Sequence, residues 1–409
     1  MGERDRVECE SDIGYQSTVA SWRAGLFDKA MPSGCFRAVF LCLLVLSGCV
    51  GGSIEKERIS LGSQPFSPGG THILLSIHGQ GRINIYRMNR GGSGLTRLIS
   101  NPEDNFDASY SPDGSKIVFA SSEGVERSVP VTSVEPTPYK DLQQANLYLM
   151  HSDGSHKVRL TNGPDQHTSP IFSPDGQRIF FRLSRSFMDA YSQGSTSFWS
   201  DSDIYSVNVD GSNLAAVTNE RFSALSPPSM TPDGKQILIY ARLAYEAYYY
   251  EEGFWAFPID NPQEKTLIAP DLAAFAPDPA STWSRSKRPF GNYDHYNPRF
   301  APDGKFVLFK LAHHSIGGDG IGVTDLASKE TEILATCAAI MESVCSPNGK
   351  EILYVCDQTG YREVYELRMM NVDGTDARRI KIQGIEDIGN REGSRGNWVP
   401  GPLRRTRRE

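Results

Sequence analysis

Along much of the chain apolar and polar residues alternate in short runs, and the runs come in pairs with a tight turn between them. Thr168 to Phe172 (TSPIF) reads as a strand, Ser173-Pro174-Asp175-Gly176 as a turn, and Gln177 to Arg182 (QRIFFR) as a second strand. Proline presets the backbone of an early turn position, and glycine supplies the positive φ that closes a hairpin. Ser202 to Val209 (SDIYSVNV) then alternates with period two, Asp210-Gly211-Ser212 reverses the chain, and Asn213 to Thr218 (NLAAVT) returns. The unit is four antiparallel strands joined in pairs by two Asp-Gly turns.

This unit recurs. Its first turn, written SPDG or nearly so, starts at Ser67, Ser111, Ser173, Thr231, Ala301 and Ser346, at spacings of 44, 62, 58, 70 and 45 residues. Its second half returns in Ala145 to Thr161 and Met369 to Ile380, and in degenerate form in Ile83 to Leu98. Six such units predict an all-β fold, a six-bladed β-propeller of four-stranded antiparallel blades around a central channel. Two closures are open: the ring shuts by face packing alone, or Ser53 to Ile59 adds a strand to the last blade.

An apolar residue, then S/A/T-P-D-G, a strand, and (D/N)-[I/L]-Y-x-[M/V]-x-x-D-G resembles the TolB-type propeller repeat, found also in the propeller domain of prolyl-oligopeptidase-type enzymes. The resemblance covers roughly residues 57–383. It implies a periplasmic binding or scaffold module that contacts envelope proteins or peptides. The peptidase relatives carry an α/β-hydrolase domain that holds the nucleophile. Here about 25 residues follow the last unit and no G-x-S-x-G occurs, so peptidase activity is not expected and no catalytic residue is assigned. TolB proper carries an N-terminal α/β domain, from which this chain departs, and a Tol-Pal translocation role is not implied.

The N-terminus breaks the alternating pattern. Ala38 to Leu46 (AVFLCLLVL) is an apolar run preceded by Arg37 and followed by Ser47-Gly48-Cys49. It is too short for a spanning helix, which needs about 20 residues, but suits the core of a secretory signal. Small residues before a cysteine resemble the bacterial lipoprotein signal, which implies lipidation of Cys49 and a membrane anchor, with Met31 as an alternative start. The expected division is residues 1–48 as extension and signal peptide, 49–56 as anchor linker, 57–383 as propeller and 384–409 as a flexible basic tail. The protein would be exported and anchored, at the periplasmic face of the outer membrane or at the cell surface.

Composition adds limits. The 409 residues are 39% hydrophobic and 22% charged, as in soluble globular proteins, and the net charge of −7 argues against nucleic acid as a partner. Beyond Cys49 only Cys337, Cys345 and Cys356 remain. One disulfide with one thiol left over fits an oxidising compartment, and three free buried thiols is the other reading.

Antiparallel blades put the short Asp-Gly turns on one face and all insertions on the other: 122–144, 184–201, 242–252 and 270–293. Loops on a rigid scaffold build binding surfaces, so the long-loop face is the candidate. Its aromatics are Phe187, Tyr191, Phe198, Trp199, Tyr245, Tyr248, Tyr249, Tyr250, Trp283 and Tyr293, which suit a protein interface or a glycan. Asp165, His167, Asp294 and His295 fall at the starts of innermost strands, near the channel mouth on the same side. No cofactor is expected; the alternative is a divalent metal, or acid–base chemistry on polysaccharide, at these His and Asp residues.

Overall fold

The computed structural model describes residues 58–79, 82–125, 144–185, 201–245, 249–268, 294–313, 318–357 and 365–385. Among these there is no helix. The N-terminal extension, Cys49 and the basic tail lie outside the described residues, as do Phe187, Tyr191, Phe198, Trp199, Tyr248, Trp283 and Tyr293.

Each repeat folds as one sheet whose strands run in chain order from the channel outward. Blade 1 holds β1 (Arg58–Ser60), β2 (His72–Gly79), β3 (Arg82–Asn89) and β4 (Thr96–Arg97). Blade 2 holds β5 (Asn105–Tyr110), β6 (Lys116–Ser121), β7 (Asn146–His151) and β8 (Val158–Arg159). Blade 3 holds β9 (Gln166–Phe172), β10 (Arg178–Ser184), β11 (Ser202–Asn208) and β12 (Ala215–Ala216). In blade 4 the inner strand is split into β13 (Ala224–Leu225) and β14 (Ser229–Met230), both paired with β15 (Gln236–Tyr245), followed by β16 (Tyr249–Pro258) and β17 (Thr266–Ile268). Pro227 and Pro228 have no N–H for the ladder, which accounts for the split. Blade 5 holds β18 (Asp294–Phe300), β19 (Phe306–His313), β20 (Gly318–Asp325) and β21 (Thr331–Cys337), and blade 6 β22 (Ala339–Cys345), β23 (Glu351–Asp357), β24 (Tyr365–Asn371) and β25 (Arg378–Arg379).

Period-two alternation serves two neighbours here, because both faces of a blade are covered. In β2, Ile73, Leu75 and Ile77 pack toward blade 6, while Leu74 packs toward blade 2. In β10, Ile179, Phe181 and Leu183 face blade 2, and Phe180 faces blade 4. The core is therefore a ring of six apolar clusters, each shared by consecutive blades. A fully buried Leu, Ile or Phe in such a cluster contributes about 1.5–3 kcal/mol.

The ring closes by face packing. Among the described residues β1 pairs only with β2 of its own blade, and blade 1 meets blade 6 through the cluster of Ile73 and Leu75 with Leu353, Val355 and Leu367. Gln383 N also donates to Gly92 O at 2.9 Å. Of the two cysteine readings, the disulfide holds: Cys337 at the end of β21 is bonded to Cys356 on β23, which joins blade 5 to blade 6, and Cys345 is a buried free thiol.

One reading is corrected. The segment 242–252 is not a loop: β15 and β16 continue as a ladder out to Tyr245 opposite Tyr249, with Ala244 opposite Tyr250. The cross-strand pairing carries two ten-residue strands past the level where other blades turn.

Candidate functional site

The site starts from the first turn of each blade. In blade 2, Ser111 Oγ donates to Asp113 Oδ1 at 2.6 Å, and that oxygen accepts Ser115 N at 3.0 Å. Lys116 N donates back to Ser111 Oγ at 2.9 Å, and Gly114 takes φ of +73°, in the left-handed region. The Ser111 hydroxyl, with the Ser115 donors, holds the Asp113 carboxyl down at about 2. The same Ser–Asp pair recurs as Ser173–Asp175, and Thr231–Asp233 replaces it in blade 4.

This chemistry aims the prolines. Pro68, Pro112, Pro174, Pro232, Pro302 and Pro347, one per blade, ring a cavity of about 410 Å³ on the channel axis. Each proline has no N–H, so the rim carries no backbone donor at these six positions. The bowl lies on the short-turn face, opposite the long-loop face that sequence reasoning takes as the candidate.

Below the rim, side chains cap the inner strands' free edges, which would otherwise leave backbone donors unpaired. Gln64 of blade 1 reaches blade 3, where its Oε1 accepts Phe172 N at 2.9 Å and its Nε2 donates to Phe172 O at 3.4 Å. Asp107 Oδ2 accepts Ser169 N at 3.0 Å and Ser169 Oγ at 3.2 Å. Glu342 accepts Leu61 N, and Ser229 Oγ accepts Phe300 N at 3.0 Å. Asp319, paired with Lys310 at 2.9 Å, accepts Ile340 N at 3.0 Å.

Arg299 stands apart in this set. Only 8% exposed, it lines the bowl, and its Nη1 donates to Ser63 O at 2.9 Å while Nε has no partner. Burial lowers its pKa, against the pull of the Glu342 and Asp107 carboxylates. Burial likewise raises the Asp107 carboxyl, opposed by Arg182, the Ser169 donors and Arg299. Glu342 is pushed by burial up to about 8, so it carries its proton for most of the time at neutral pH. By surface area both residues are half-buried.

Sequence reasoning missed Arg299, Asp107, Glu342 and Gln64. The signal is columnar: two positions before each turn start the blades carry Pro65, Ser109, Ile171, Ser229, Arg299 and Val344, of which only Arg299 is charged. Four before it they carry Ser63, Asp107, Ser169, Pro227, Asn297 and Glu342.

Of the residues expected near the channel mouth, His167 on β9 is 2% exposed between blades 2 and 3. Its Nδ1 lies 2.9 Å from Thr161 Oγ1 and 3.1 Å from Asn146 Oδ1, and its ring meets Phe181 edge-on at 5.5 Å. Burial lowers its pKa to about 4. Asp165 is half-buried just before β9, and Asp294 and His295 begin β18, two blades away. Among the described residues no group of three or more His, Cys, Asp or Glu side chains is placed to hold a metal ion.

No family model matches the chain. It is 26% identical over 168 residues to an uncharacterized protein of Agrobacterium fabrum, covering 41% of this chain and 45% of that protein. To the Tol-Pal system protein TolB of Anaeromyxobacter dehalogenans it is 29% identical over 117 residues, covering 29% and 23%. The chain spans less than half the length of the curated relatives it matches. Among solved structures it is similar to an oligogalacturonate lyase in complex with manganese, at 12% identity and TM-score 0.51, with 80% of this chain and 78% of that one covered. It is also similar to TolB from Acinetobacter baumannii, at 16% identity and TM-score 0.49, covering 84% and 69%. This is a six-bladed β-propeller with TolB proteins among its structural neighbours. At these identities the solved structures speak to the fold alone.

Proposed function

We propose that the chain is an exported, lipid-anchored binding propeller, held to a membrane through Cys49, that captures an envelope protein or peptide on its long-loop face. The observation that carries this reading is the use made of ionisable groups at the seams between blades. Asp107, Glu342 and Asp319 each cap a backbone N–H of the next blade, and His167 is tied to Thr161 and Asn146. They act as braces of a rigid ring, which is what a docking scaffold needs. The disulfide between blades 5 and 6 fits an oxidising compartment, and the likeness to TolB supports an envelope role.

A second reading is an enzyme acting on polysaccharide at the channel mouth, with Asp165, His167, Asp294 and His295 as its polar groups. The propeller it shares with an oligogalacturonate lyase supports it. Purified propeller, beginning after the signal segment, should recover a discrete envelope protein after crosslinking. Replacing Trp199, Tyr248, Tyr249 and Tyr250 together by Ala should reduce that recovery at least tenfold with an unchanged melting temperature. Undiminished recovery would move the site off this face. Stoichiometric metal with turnover of a polysaccharide would replace the scaffold reading by the enzyme one. Cys49→Ala should release the full-length protein from membranes; a variant that still sediments with them would remove the anchor.

A further inference from the structure

We propose a second binding site, independent of the long-loop face: the proline-rimmed bowl of the short-turn face takes a ligand with an apolar body and a terminal carboxylate that meets Arg299. Three observations converge. The cavity, about 410 Å³, is within the size range of small-ligand sites. Most of its wall is apolar, built from the six turn prolines together with Phe66, Tyr110, Phe172, Met230 and Phe300, with Gln64 and the hydroxyls of Ser63, Ser111, Ser229 and Thr231 among them. Its one charged lining residue is Arg299, which replaces the uncharged residue found at the same repeat position in the other five blades.

Arg299 is also under-satisfied. Ser63 O accepts from Nη1, and Nε is buried without a partner, a cost the fold carries at a position where Val, Ile, Ser or Pro serves the other blades. Glu342, close enough to influence it electrostatically, is largely protonated at neutral pH, which leaves Asp107 as the other nearby carboxylate. A guanidinium engages a carboxylate through two parallel N–H bonds, geometry that a neutral amide does not match. The six prolines present no N–H at the rim, which favours an apolar group above them. Two sources offer this chemistry, a peptide ending in a free carboxylate behind a hydrophobic residue, and a free aryl or alkyl acid.

The probe is N-acetyl-Ala-Leu-p-benzoylphenylalanine as the free acid, beside its C-terminal carboxamide. On irradiation the acid should attach within the bowl, with Met230 and its neighbours carrying the adduct, and should label at least tenfold more than the amide. Arg299→Lys, which keeps the charge but loses the planar fork, should erase that preference. Its thermal melt establishes whether the variant is folded, and the acid-to-amide comparison on wild-type protein stands without it. If 3-phenylpropionate competes fully, a free acid satisfies the site; if only the peptide acid binds, the ligand is a chain terminus. Equal labelling by acid and amide, adducts outside the bowl, or an acid preference kept in folded Arg299→Lys would each overturn the proposal. The Trp199 and Tyr248–Tyr250 replacements leave this labelling unchanged, so failure here is separable from failure of the long-loop face.

Discussion

Blade 6 meets blade 1 without a covalent link and meets blade 5 through one. At the first seam the contact is geometric. Leu353, Val355 and Leu367 interlock with Ile73 and Leu75, Glu342 reaches Leu61, Arg90 pairs with Glu351, and Pro347 lies 3.8 Å from where a Cβ on Gly70 would sit. That proline-to-glycine approach recurs around the ring. Pro68 meets Gly114, Pro112 meets Gly176, Pro174 meets Gly234 and Pro232 meets Gly304. Between blades 5 and 6 it is missing, since nothing comes within 4 Å of the same position on Gly349. There the disulfide Cys337–Cys356 ties the blades, with Cα atoms 6.3 Å apart. Turn-to-turn fit and a covalent tie serve as alternative ways to hold a seam.

The comparison can be broken first at its apolar core. Leu353→Ala removes a fully buried side chain from the closure cluster and should cost about 3 kcal/mol in urea unfolding. A loss below about 1 kcal/mol would mean that the seam relaxes around the cavity. Cys356→Ser should cost nearly as much, about 2–3 kcal/mol, and a reductant should lower the wild type by the same amount while leaving the variant unmoved.

Two glycines sharpen the contrast between seams. Gly114 and Gly349 both have positive φ, so alanine at either position carries a strain of about 1 kcal/mol. At Gly114 the added methyl also lies 3.0 Å from Pro68 Cδ, whereas at Gly349 it meets nothing. Gly114→Ala should therefore lower the melting temperature more, and equal losses would show that the turn-to-turn contact contributes little.

The same seam also responds to pH. Glu342 titrates at about 8 in the fold against an ordinary value of 4.5, so the folded state binds more protons between those limits. Stability should then fall as pH rises from about 5 to 8 and level off above, and Glu342→Gln should flatten that window. An unchanged slope would place the titration elsewhere.

The six turns were legible because a proline and a glycine in the left-handed region, joined in blades 2, 3 and 4 by a Ser or Thr hydroxyl bonded to Asp, are local requirements written in four consecutive residues. Strand positions followed from the alternation, and the Ser202 to Val209 reading agrees with β11 to within one residue. The β15–β16 ladder was not legible, because Tyr245 and Tyr249 read as loop aromatics until their pairing is seen. The bowl escaped for another reason: Arg299 belongs to a strand that otherwise looks like its five counterparts, and its neighbours Ser63, Asp107 and Glu342 lie far away in the chain.

By itself the sequence determined the repeat and the blade count, since each depends on periodicity and turn chemistry within a single repeat. Only the tertiary structure decided how the ring closes, which two cysteines join, that His167 is a buried brace, and that the short-turn mouth holds a built cavity. Those outcomes depend on residues up to 281 positions apart, as Leu61 and Glu342 are, meeting on a common axis. No local pattern encodes that distance; the closing of the ring creates it.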